Sequence, residues 1–184
     1  MRKFALLGLT ILIMIFMFGC FPSRYVQYIE SCYYDSIKNI TRFDRLPLGY
    51  VEIPGNWNKT SYNNVSKQQF FRNIDSVSLA VAFWPEDQYG FYKRGETDMT
   101  FLNDFYEWDS KYIAEQINGQ RKIIEQDSTQ QSYILWNVYN DSDVNGYFLY
   151  GLKRGRVYNL YITTKKWKEQ QKINFLKQLF TNKK

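Results

Sequence analysis

The stretch Tyr147-Phe148-Leu149-Tyr150-Gly151-Leu152-Lys153 limits the fold of this chain more than any other. In an extended conformation, Tyr147 and Leu149 fall on one face and Phe148, Tyr150 and Leu152 on the other. Neither face suits water, so the strand needs apolar cover on both sides. Val77 to Trp84 repeats the pattern, with Val77, Leu79, Val81 and Phe83 opposite Ala80, Ala82 and Trp84, and with Ser78 its one polar member. Two such strands place a sheet in the middle of a layered domain.

The remaining elements fit that frame. Gly49 to Ile53 alternates and stops at Pro54-Gly55, a strand ending in a turn, with Trp57 just beyond. Gln69 to Ile74 reads as a strand joined to Val77–Trp84 through Asp75-Ser76. Arg121–Gln126, Ser132–Tyr139, Tyr147–Lys153 and Arg156–Thr163 form a meander. A loop rich in charge and glycine, Pro85 to Asp98, leads into a helix starting at Asp98 or Thr100. On that helix Phe101, Phe105, Trp108 and Tyr112 recur at helical spacing. Such a stripe is either a ligand platform or a core face, and the core reading is preferred because the spacing is first an amphipathic signature. A last helix, from Thr164 or Lys165, brings Ile173, Leu176, Leu179 and Phe180 to one side. The fold class expected is α+β, an antiparallel sheet covered by helices on both faces.

This α/β/α order is similar to the PsbP-like family, named after an extrinsic subunit of photosystem II and found also in small bacterial envelope lipoproteins. The resemblance is carried by Ile53-Pro54-Gly55-Asn56-Trp57, by Tyr147 to Lys153, and by the closing helix with Trp167, Phe175 and Leu176, within a pattern running from about Leu48 to Phe180. It implies a single domain over 47–184 that binds partner proteins, and it transfers no functional residue.

The amino terminus supplies an address. Met1-Arg2-Lys3 is positive, Phe4 to Phe18 is almost unbroken hydrocarbon, and Gly19-Cys20 closes the run. This resembles a bacterial lipoprotein signal. The resemblance implies removal of residues 1–19, a diacylglycerol on the Cys20 thiol, and an acyl chain such as palmitate on the new terminus. An uncleaved anchor is the alternative, and it needs at least about 17 apolar residues, nearly all that Phe4 to Phe21 contains. Residues 20–46, with Pro22, Arg42, Asp44 and Arg45 and no steady apolar period, read as the lipidated end and a tether. The tether lacks the acidic residues that follow the cysteine in surface-exported lipoproteins of the Bacteroidetes type, which implies a periplasm-facing position. With Cys20 lipidated, Cys32 is the one thiol left and no intramolecular disulfide can form.

Charge is lopsided: residues 152–184 hold ten Lys or Arg against the single Glu169, whereas residues 20–151 hold twelve basic and seventeen acidic. In an exported chain this basic quarter would meet an acidic protein or anionic lipid headgroups, not nucleic acid. The bland alternative is a solvated helix face made by Lys165, Lys166, Lys168, Lys172 and Lys177.

Catalysis finds few candidate residues. The chain contains no histidine, which removes the usual general base and histidine-containing triads. It also lacks a glycine-rich phosphate loop, and no cofactor or metal is expected. Carboxylate pairs that a hydrolase or metal-dependent enzyme could use remain, for instance among Glu86, Asp87, Glu96 and Asp98 in the loop. Asp141 to Gly146 matches the first half of a calcium loop, but the twelfth position is Leu152 where a Glu is needed, so a polar hairpin is expected. Asp35-Ser36-Ile37, Asp75-Ser76-Val77 and Asp127-Ser128-Thr129 resemble a Bacteroidetes O-glycosylation signal, with Ser36 the accessible one. The function expected is a membrane-anchored, non-catalytic binding or accessory factor of the cell envelope.

Overall fold

The computed structural model describes residues 27–181. Cys20 and the apolar segment before it lie outside the described residues. Ten strands and two α-helices follow in the order β1 (Ile29–Asp35), β2 (Ile40–Leu46), β3 (Gly49–Pro54), β4 (Trp57–Asn63), β5 (Gln68–Asn73), β6 (Ser78–Pro85), α1 (Asp98–Gln116), β7 (Gln120–Asp127), β8 (Tyr133–Tyr139), β9 (Asn145–Lys153), β10 (Arg156–Thr163) and α2 (Glu169–Thr181). One 3-10 turn, Glu86–Gln88, follows β6. Strands β1-β2-β3 form a small antiparallel sheet, and a seven-stranded antiparallel sheet runs β4-β5-β6-β10-β9-β8-β7. The class is α+β, as expected.

The double-faced strands sit where their composition requires. Side chains along β8 and β9 alternate between two apolar clusters. Leu135, Tyr147 and Leu149 join one cluster, to which α2 contributes Leu176 and Phe180. Ile134, Trp136, Phe148 and Tyr150 join the other, with Phe101, Leu102 and Phe105 of α1. Gly151 makes the first contact possible, because a Cβ there would stand 2.4 Å from the buried Phe180 ring. Cover is not by helices alone: Phe43, Val51 and Ile53 of the small sheet share the α2 cluster. Helix α1 packs mainly over β7, β8 and β9, and reaches β10 through Asp109.

The tether expected over residues 20–46 is corrected from Ile29 onward, where β1 and β2 are integral strands. Thr41, Phe43 and Arg45 alternate inward, each 1% exposed or less. Two of the three are polar: Thr41 is hydrogen-bonded on both sides, and Arg45 is ion-paired, its Nη2 2.6 Å from Glu30 Oε1. Thr41 Oγ1 donates to Gly55 O (2.8 Å) and accepts from Trp57 N (2.9 Å), fastening β2 to the corner where the chain passes into the large sheet. Gly55 takes φ 91° there, a left-handed value that favours glycine. Arg45 Nε donates to Glu30 Oε1 (2.8 Å), and its guanidinium lies among the rings of Phe43, Tyr62, Phe83 and Trp84. Burial pushes the Glu30 carboxyl up, but the hydrogen bonds from Arg45 and Lys59 outweigh it and hold the group below the usual carboxylate range. Cys32 is half-buried against the same core, and burial raises its thiol.

Three further expectations need correction. The buried face of α1 comprises Phe101, Leu102, Phe105, Tyr106, Ser110 and Ala114, so Phe101 and Phe105 are core as expected, while Trp108 and Tyr112 are 57% and 56% exposed. Ser110 can occupy the buried face because its hydroxyl donates to Tyr106 O and accepts from Arg121. Helix α2 begins at Glu169, several residues after Lys165, and β4 is a strand where only Trp57 had been marked. The edge strands are both irregular: pairing shifts between Lys59 and Tyr62 in β4 and between Ile123 and Glu125 in β7. Among the described residues no helix is long and apolar enough to cross a membrane.

Candidate functional site

One rung of the large sheet is polar where it should be apolar. Ala82, Asn159, Tyr150 and Ile134 are consecutive cross-strand partners on β6, β10, β9 and β8. Asn159 is 6% exposed in the middle of a strand, a position that requires full hydrogen bonding. Its Oδ1 accepts from Gln68 Nε2 (3.1 Å), whose Oε1 in turn accepts from Ser66 Oγ (2.9 Å). Its Nδ2 donates to Asp109 Oδ2 (3.1 Å), which also accepts from the Tyr150 hydroxyl (2.7 Å). The donors therefore run from Ser66 across the sheet and end at one carboxylate, brought down from α1.

Asp109 lines a cleft of about 570 Å³ between α1 and the β4–β5 turn. Trp84, Tyr89, Phe91, Phe105 and Trp108 supply its aromatic walls, and Val65 to Lys67 of the β4–β5 turn close the far side. The walls are mutually braced. Tyr89 meets Phe105 edge-on at 5.2 Å, and Trp108 lies 5.9 Å from both Phe91 and Phe105. Burial pushes the Asp109 carboxyl up, against the hydrogen bonds from Tyr150 and Asn159 that favour its charge. The Tyr89 phenol is raised by burial and then by the charge on Asp109. Oδ1 of Asp109 accepts no hydrogen bond from the described residues.

A carboxylate held this way weakens the fold. A raised folded pKa means that the ionised form is disfavoured relative to the unfolded chain; the penalty is full above that pKa and disappears as pH falls below the ordinary Asp value. Asp109→Asn is therefore expected to raise stability at neutral pH by about 1 kcal/mol. The gain should shrink as the solution is acidified through Asp109's raised pKa. Urea midpoints at neutral and mildly acidic pH check this, and a loss of stability at neutral pH would refute it.

The other sequence candidates are placed as follows. The Asp141–Gly146 segment is a hairpin organised by Asn140, whose Oδ1 accepts from Ser142 N and Val144 N. It borders a cleft of about 660 Å³, but Asp143 is ion-paired to Lys165. Among the described residues no three potential metal ligands come together. Of Glu86, Asp87, Glu96 and Asp98, the first is perturbed: burial raises the Glu86 carboxyl, and Asp98, Asp87 and Glu96 raise it further. The basic quarter is divided. Lys153, Arg154 and Arg156 lie by the β9–β10 turn and Lys165 to Lys168 beyond the opposite strand ends. Lys172 is not a solvating residue but 5% exposed, 4.9 Å from the Tyr147 ring, with burial lowering its pKa; Lys177 pairs with Glu125 at 2.7 Å. Ser76 and Ser128 are exposed on turns as Ser36 is, so accessibility does not single out Ser36.

No family model matches the chain, and no curated protein does. Among solved structures, the solution structure of cyanobacterial PsbP (CyanoP) from Synechocystis sp. PCC 6803 is similar with a TM-score of 0.51 at 13% identity, covering 90% of this chain and 96% of that one. The fold is PsbP-like. At this identity the likeness carries no site residue across. The cleft beside Asp109 was missed in the sequence because its parts come from four separate segments. The one local signal was Trp108 on a stripe that could have been a ligand platform.

Proposed function

We propose that this chain is a lipoprotein of the bacterial cell envelope, held to the membrane by lipid on Cys20, facing the periplasm, and acting as a non-catalytic binding or accessory factor. Its PsbP-like domain is a layered α/β/α arrangement that presents the α1 side as a recognition surface. The observation that carries the binding reading is the aromatic cleft with its polar network, which orients one carboxylate, Asp109, among aromatic walls. The basic carboxy-terminal quarter adds contact with anionic headgroups or an acidic protein partner.

Metabolic labelling with a fatty-acid analogue tests the anchoring half. Label and loss of residues 1–19 are expected in the wild type and absent in Cys20→Ala; an unlabelled full-length wild-type product overturns it. Crosslinking in living cells tests the binding half, which fails if no partner recurs. A second reading, a hydrolase or metal-dependent enzyme built on residues 85–98, is favoured by the Glu86 carboxyl, which burial and its acidic neighbours raise. Joint replacement of Glu86, Asp87, Glu96 and Asp98 by their amides abolishes function on that reading and leaves partner capture intact on the first.

A further inference from the structure

The polar groups of the network that ends at Asp109 are committed to one another, with one exception. Both ends of the Asn159 amide, the Tyr150 hydroxyl and the Ser66 hydroxyl are committed within the network. A sugar or other hydroxyl-rich ligand would have to break those bonds to be read. What stays open is the negative charge at Asp109 Oδ1, beside aromatic rings whose faces also carry negative potential. The buried cation nearby, Arg45, which touches the Trp84 ring, is already matched by Glu30 and does not neutralise Asp109. Lys67 lines the cleft through an exposed side chain and is no part of the charge balance on Asp109.

We propose that this cleft binds an organic ammonium group, its charge set against Asp109 and its alkyl substituents against Trp108, Phe91 and Tyr89. A desolvated carboxylate with aromatic walls favours a cation that sheds water easily, such as an alkylated ammonium, over a strongly hydrated metal ion. The volume accepts a small head group with room for one substituent. Two sources share this chemistry, a free amine and the headgroup of a zwitterionic lipid. The inference deepens the binding reading given above and rests on it.

The test uses the full chain in a maltoside detergent, with choline as probe and 3,3-dimethylbutanol as its neutral isostere, followed by calorimetry and by the fluorescence of Trp84 and Trp108. Choline is expected to bind at least about tenfold more tightly than the isostere. Asp109→Asn should remove that preference while leaving the weak binding of the isostere unchanged. Trp108→Ala, at an exposed wall position, should weaken choline about fivefold. Vesicles of phosphatidylcholine compared with phosphatidylglycerol separate the sources: Asp109-dependent capture on the first alone assigns the headgroup, and binding of free choline alone assigns a soluble ligand. Equal affinity for choline and the isostere, indifference to Asp109→Asn, or no binding of choline in either form overturns the proposal. So does tighter binding of a monosaccharide than of choline. Failure here with Cys20-dependent labelling and a recurrent crosslinked partner rejects the ligand class alone, whereas loss of that labelling rejects the anchoring alone.

Discussion

A fragment spanning 47–184 is expected to have no cooperative thermal transition, whereas one spanning 27–184 should melt sharply. The difference is the removal of β1 and β2, which the sequence reading had assigned to a tether. Phe43 is fully buried and packs edge-on against Phe71 (5.4 Å) and Phe83 (6.0 Å). Full burial of one such ring is worth about 3 kcal/mol, and its removal also exposes the β5 and β6 residues beneath it. Thr41 is lost with it, leaving Trp57 N without its acceptor. Summed against a typical domain stability of roughly 5–15 kcal/mol, the loss is enough to unfold the fragment. Near-UV circular dichroism during melting reads the outcome, and a native-like spectrum for 47–184 would restore the tether.

Glu30→Ala is expected to destabilise the protein by about 3 kcal/mol, far more than the loss of a surface ion pair. The reason is the partner left behind. Arg45 is 1% exposed, surrounded by rings, and without Glu30 it retains a buried charge with one carbonyl contact, Lys67 O at 3.3 Å. Adding Arg45→Met to the Glu30→Ala protein should recover most of the loss, since removing both charges is far less harmful than removing one. Because the folded Glu30 pKa lies below its ordinary value, the pair's contribution is complete above the ordinary carboxylate range and is lost as pH falls through the folded pKa. Denaturant midpoints of the wild type and the two variants across acidic pH measure both effects. A Glu30→Ala midpoint equal to wild type would remove the pair from the stability account.

These two cases also mark where the sequence could be read and where it could not. β9 was legible because Tyr147 to Leu152 is apolar on both faces, and only a doubly covered strand accepts that. β2 was not, because two of its three inward residues are Thr41 and Arg45, which hide a period-two burial behind polar letters. β4 was hidden for the opposite reason: after Trp57 every residue is exposed, as an edge strand allows. On α1 the aromatic letters pulled the expected core face toward Trp108 and Tyr112, whereas a small polar residue, Ser110, occupies the buried line. The site was the least legible part. Asp109, Asn159, Tyr150 and Gln68 are far apart in the chain, and each is unremarkable beside its own neighbours. They become a network only through the register that sets Asn159 against Tyr150.

The irregular borders of the seven-stranded sheet restrict how this molecule meets others. Strand addition needs a run of evenly spaced, unpaired amides and carbonyls, which a shifted register interrupts. β4 is broken after Lys59 and β7 after Ile123. Neither border offers a template for another chain, including a second copy crowded beside it. Any contact made at these borders therefore passes through side chains and not through backbone, and single substitutions can change it one residue at a time.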